Sequence, residues 1–149
     1  MKESINISEK TFYLIVGLCS IIIISYSLEA FAKAKDIGLF ENWVSNSNLI
    51  IAGYQDVGQN YSVYLTMILS SFLIRVITPI ALSLNTYLAF IKFKVTKLFI
   101  FIWITLIIGL FAFITIGEEY ISFFIIISGV CYFGILSTLM YLWNKVKSS

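Results

Sequence analysis

The stretch from Tyr61 to Phe93 is almost wholly apolar, and its only charged side chain before Lys92 is Arg75. Arg75 is also the only arginine in the chain, and the only proline, Pro79, follows four residues later. A helix of that length rises about 50 Å at 1.5 Å per residue, more than the ~30 Å hydrocarbon core of a bilayer. If the lipid-facing part lies between Ser62 and Asn85, Arg75 falls close to the bilayer midplane, where a charge costs roughly 2.5–3.5 kcal/mol even on the most lenient scales. Pro79 cannot donate to the Arg75 carbonyl, so a kink is expected at the same depth.

The rest of the chain agrees with a bilayer setting. Hydrophobic residues make up 60% and charged residues 12%, with a mean hydropathy of +0.96. Those values lie outside the range of soluble domains. A net charge of +2 is too small to point to nucleic acid. There is no histidine, which removes the commonest metal ligand and the commonest general base, so neither metal nor cofactor is expected. Cys19 and Cys131 sit inside apolar runs without a CxxC spacing and read as small packing residues.

Four apolar runs predict an all-α integral membrane protein, a four-helix bundle forming a single membrane domain over residues 1–149. The spans are expected at about 11–32, 62–91, 98–116 and 120–143, with a long outer loop at 33–61. Lys10 before the first run and Ala30-Phe31-Ala32 after it outline a secretory signal with its cleavage site. The run from Phe12 to Leu28 is longer than the usual apolar region of such a signal, so it is read as a permanent span. On it, Tyr13, Gly17, Ser20, Ile24 and Ser27 share a face with small residues suited to close helix contact. In the loop, Asp36 is an N-cap candidate for a short helix in which Ile37, Phe40 and Val44 recur at helical spacing, with Trp43 beside them. Such a segment suits the membrane interface. Leu49-Ile50-Ile51 is too short to span, and Gly53 and Gly58 mark a turn region. Asn60-Tyr61-Ser62 fits a glycosylation pattern that is common by chance.

On the second span, Tyr64, Ser71, Arg75, Thr78, Asn85 and Thr86 fall within about 100° of arc, so the arginine belongs to a polar stripe. The third span carries Thr105, Gly109 and Ala112 on one face, and the fourth carries Ser128, Cys131, Gly134 and Thr138. These faces are expected to meet in a tight hairpin, because only Gly117, Glu118 and Glu119 separate the two runs. Glu29, Glu118 and Glu119 are the candidate partner carboxylates for Arg75. All three are placed near the outer surface by the spans above. Arg75 is therefore expected to meet a water-filled cavity, a bound anion or lipid head group, or a carboxylate of another subunit. An inward shift of Glu29 is the alternative within the chain.

Chemistry-bearing motifs are missing: there is no GxGxxG, GxxxxGK[ST] or HExxH, and without histidine no Ser/His/Asp set. The function expected is that of a non-enzymatic subunit of a membrane assembly, either a homo-oligomer or an accessory subunit of a larger complex. Its partners are the lipid bilayer and another membrane protein. One alternative is a pore, or an ion- or proton-linked conductor, lined by the stripe around Arg75. A lipid-handling enzyme is the second, with no catalytic set in view. Nine lysines to one arginine and the abundance of isoleucine suggest an AT-rich genome and a bacterial cytoplasmic membrane.

Lysine placement sets the expected orientation. With the N-terminus inside, inner segments carry Lys2, Lys10, Lys92, Lys94, Lys97, Lys145 and Lys147, and outer segments only Lys33 and Lys35. The positive-inside rule puts both termini in the cytoplasm. A cysteine at position 94 should then resist an impermeant thiol reagent added to intact cells; labelling from outside would reverse the orientation.

Overall fold

A computed structural model describes residues 4–46, 57–116 and 122–147, apart from the side chains of 57–59 and 147. In chain order the elements are β1 (Ser4–Ile5), α1 (Glu9–Lys35), α2 (Ile37–Asn46), α3 (Val57–Ile91), β2 (Val95–Thr96), α4 (Lys97–Ile116) and α5 (Phe123–Lys147). Four of the five helices, α1, α3, α4 and α5, are long and apolar enough to cross a membrane.

α1, α2, α4 and α5 each begin where a polar side chain can take up a free backbone N–H. Ser8 accepts from the Thr11 N–H at 3.3 Å, Thr96 from Phe99 at 3.3 Å and Ser122 from Ile125 at 3.3 Å. Between α1 and α2 the joint is one residue. Asp36 has extended φ/ψ of −84° and 102°; its N–H bonds the Lys33 carbonyl at 3.4 Å, and its carboxylate accepts the Leu39 N–H at 3.1 Å. The N-cap expected at Asp36 is thus present.

The long loop expected at 33–61 is not confirmed, and residues 47–56 of it lie outside the described residues. α1 continues through Lys35, α2 occupies 37–46, and α3 starts at Val57, before the expected 62. Hydropathy reading stops a helix at its first charges, whereas Glu29, Lys33 and Lys35 sit within the helical turns of α1. Leu49–Ile51, Gly53 and the turn at Gly117, Glu118 and Glu119 lie outside the described residues. Asn60 is buried within α3, a poor setting for glycosylation. The helix runs on through Pro79, which is itself fully buried.

α1 is the centre of the bundle. It packs along both α3 and α5, α4 lies against α5, and the α3–α4 seam is the thinnest. The core joins Ile15, Cys19, Ile22 and Tyr26 of α1 to Leu82 of α3, Ile107 of α4 and Tyr132, Ile135 and Leu139 of α5. Both cysteines are buried and unbridged. β1 pairs antiparallel with β2, Ser4 opposite Thr96 and Ile5 opposite Val95. Ile5, Ile7, Val95 and Val146 close the core at that end.

The three faces of small residues have different fates. On α5, Ser128, Cys131 and Thr138 are buried, and Gly134 is half-buried. A Cβ on Gly134 would sit 3.1 Å from Leu18 Cδ1 of α1, so this face receives α1; α4 still lies against α5, but the two small-residue faces do not meet. On α4, Thr105, Gly109 and Ala112 are exposed, and on α1 so are Tyr13, Gly17, Ser20, Ile24 and Ser27. A Cβ on Gly17 or Gly109 would meet nothing within 4 Å. Gly134→Leu is therefore expected to wedge α1 from α5 and destabilise by about 1–3 kcal/mol. Gly109→Leu should leave the melting temperature unchanged or slightly raised, since leucine favours helix over glycine. Thermal unfolding of the two variants in the same detergent checks the contrast.

Candidate functional site

Charge inside the bundle is concentrated where α1 and α3 meet. Arg75 Nη1 donates to both oxygens of Glu29, each at 3.2 Å. The pair is deeply buried, with 3% of Glu29 and 9% of Arg75 accessible. Lys33, one turn beyond Glu29 on α1, brings its ammonium to Glu29 Oε1 at 2.8 Å. Arg75 also lies over the Tyr26 ring, 5.6 Å from its centroid, within cation–π range. One carboxylate thus holds two cations, and one aromatic face shields the deeper of them.

Helix geometry explains how the side chains meet. The Tyr64 hydroxyl donates to the Lys33 carbonyl at 3.0 Å, which puts Tyr64 and Lys33 at one level. Arg75 follows Tyr64 by eleven residues, about 16 Å along α3, and Glu29 precedes Lys33 by four, about 6 Å along α1. The remaining gap of about 10 Å is bridged as the arginine side chain climbs and the glutamate descends. The sequence-based placement of Glu29 near the outer surface is thereby corrected. Because α1 is longer than its apolar run, Glu29 lies inside the helix, about 9 Å from the Lys35 end. Arg75 snorkels partway, to a carboxylate and not to water. Glu118 and Glu119 lie outside the described residues.

Around the outer end of this cluster are aromatic rings. Phe40 and Trp43 of α2 pack against Tyr64 with centroids 5.4 and 5.5 Å away, and Phe40 meets Tyr61 edge-on at 5.3 Å. Tyr61 and Tyr64 donate to the Ala34 and Lys33 carbonyls, both at 3.0 Å. Tyr61 gives the Ala34 carbonyl of the last turn a partner, and Tyr64 adds a second donor to the Lys33 carbonyl, which also accepts the Asp36 N–H. Lys33, about a third exposed, connects this rim to the buried pair.

The polar stripe on α3 does not act as a unit. Tyr64 caps α1, and Ser71 stands beside Arg75. Thr78 is half-buried and Thr86 buried, the Thr86 hydroxyl lacking a hydrogen-bond partner among the described residues. Asn85 is exposed and donates to its own helix, to the Ala81 carbonyl at 2.9 Å. Two cavities border Arg75. One, about 200 Å³, lies between α1 and α3 beside Glu29, Lys33, Ser71 and Phe72. The other, about 550 Å³, lies between α3 and α4 beside Ser70, Ile74 and Phe113. Met67, Ser71 and Arg75 line both.

Sequence reasoning passed over Lys33 and Tyr26. Both carried a signal: Lys33 follows Glu29 by four residues, the favourable order for a helical ion pair, and Tyr26 precedes Glu29 by three, on the same face.

The cluster neutralises a buried charge, orders α1 against α3 and offers polar groups to two cavities. Among the described residues no group of His, Cys, Asp and Glu side chains could hold a metal ion. No family model matches this chain, and neither a curated protein nor a solved structure is similar to it.

Removing one partner of a buried ion pair costs about 3–5 kcal/mol, whereas replacing both with apolar side chains can be neutral. Glu29→Leu is expected to destabilise by that amount, and Glu29→Leu combined with Arg75→Leu to recover most of the loss. A double-mutant cycle of unfolding in mixed micelles checks it; additive single effects would mean that the pair is not coupled.

Proposed function

We propose that the protein is a small, non-enzymatic multipass subunit of a membrane assembly, working with a second copy of itself or with another membrane protein. The observation that carries this reading is the outward presentation of two small-residue faces. The α5 face is used inside the bundle. Those of α1, with Gly17 and Ser20, and of α4, with Thr105, Gly109 and Ala112, look away from it. In hydrocarbon such faces let helix backbones approach closely, and dispersion contacts then drive association. Their hydroxyls add no polar cost, since Ser20 donates to the Val16 carbonyl at 2.9 Å and Thr105 to the Phe101 carbonyl at 3.0 Å. The Glu29–Arg75 pair has an internal part in this reading, joining α1 to α3. The setting proposed is a bacterial cytoplasmic membrane with both termini inside, supported by the lysine distribution.

A conductor remains the second reading, supported by the two cavities that meet at Arg75. It draws less from the polar stripe, because Asn85 is turned outward and Tyr64 is engaged at the end of α1.

The test is the size of the protein in mild detergent. The wild type is expected to run as an oligomer or with a co-purifying membrane protein. Gly17→Leu with Gly109→Leu should release monomer without lowering the melting temperature. A monomeric wild type with no partner, or an assembly indifferent to both substitutions, removes the reading.

A further inference from the structure

The bundle end that carries β1 and β2 gathers three segments that are far apart in sequence. Residues 4–10, 92–97 and 143–146 together hold five lysines, Lys10, Lys92, Lys94, Lys97 and Lys145, against Glu9. Nothing in the sequence says that they lie together. β1 pairs with β2 and so ties the N-terminal segment to the α3–α4 turn. Val146, fully buried in the same core as Ile5, Ile7 and Val95, brings in the end of α5. Phe12 stacks on Phe90 with centroids 4.7 Å apart, which sets the first turn of α1, with Lys10, beside the last turn of α3 and Lys92 just after it.

We propose that this end is a binding surface for the phosphate head groups of anionic phospholipids, centred on Lys10, Lys92 and Lys94. All three lysines are exposed. Lysine presents a compact point charge on a flexible apolar stem, which suits a phosphate at the edge of hydrocarbon. What selects a lipid over a soluble anion or an acidic protein is the apolar company. Phe93, between Lys92 and Lys94, is 62% exposed, and Leu98, just past Lys97, is 68% exposed. Charged and large apolar side chains alternating over a few residues fit the boundary where head groups meet acyl chains. β2 fixes the turn so that Val95 points into the core while its neighbours remain outside. Glu9 is the acid of this end among the described residues. It sits in the first turn of α1, where its charge favours the helix N-terminus. The opposite end is balanced among the described residues: Lys33, Lys35 and Arg75 stand there against Glu29, Asp36 and Glu41.

The experiment uses the full chain reconstituted in phosphatidylcholine vesicles with a trace of spin-labelled phosphatidylglycerol or spin-labelled phosphatidylcholine. The immobilised fraction reports association. The wild type is expected to prefer phosphatidylglycerol, and the preference should fall about fivefold for each lysine removed, towards equal binding. Lys10→Gln, Lys92→Gln and Lys94→Gln together should abolish it with an unchanged melting temperature, while Lys35→Gln at the other end should leave it intact. On the wild type itself, raising salt to about 1 M, where the screening length is ~3 Å, should also abolish it. Equal binding of the two lipids by the wild type, a preference that survives the triple substitution, or one indifferent to salt would overturn the proposal.

Discussion

A guanidinium in hydrocarbon must find an opposite charge, and the architecture around Arg75 answers that demand. The charge cannot reach water along its own helix, since α3 runs on for several turns in both directions. It is met by Glu29 on the neighbouring helix, which requires α1 to extend as regular helix beyond its apolar run. Two ions that would each be costly alone thus become one hydrogen-bonded unit. Lys33 then links the unit to the polar rim.

Several features follow from that extension. A helix carried past its apolar segment ends with carbonyls that need donors, and Tyr61, Tyr64 and the Asp36 N–H supply them. The chain then turns on a single residue, Asp36, and α2 lays Phe40 and Trp43 over the same tyrosines. The aromatic layer therefore both closes the end of α1 and covers the route from the rim to the buried pair. At the other end the closing device is different: two strands of two residues each, with four aliphatic side chains beneath them.

Much of the fold was legible because it rests on length and hydropathy. The four long helices appear as four apolar runs, and Asp36 reads as a cap from its place before a helical spacing. The depth of Glu29 was not legible, because hydropathy treats a charge as the end of a span, and only a partner on another helix makes it otherwise. The roles within the stripe on α3 were hidden for a related reason: an arc on one helix does not say which neighbour faces it. Tyr64 and Ser71 face α1 and its cavity, whereas Asn85 looks outward. Two-residue strands carry no periodicity at all, so β1 and β2 could not be seen. Spacing marks small-residue faces but not their direction, which is why the faces of α1 and α4 turned out opposite in use to that of α5.

The two ion pairs of Glu29 differ in their timing. Arg75 lies 46 residues after Glu29 in the chain, a delay of roughly 2–9 s at ordinary rates of synthesis. Through that interval α1 holds an acid within an apolar helix and no arginine exists to receive it. Lys33, four residues away on the same helix, needs no other part of the fold. The local pair can form as soon as α1 does, and the long-range pair joins it when α3 arrives. Lys33 is therefore the partner of Glu29 that depends on no other helix, and Arg75 the one that depends on the bundle.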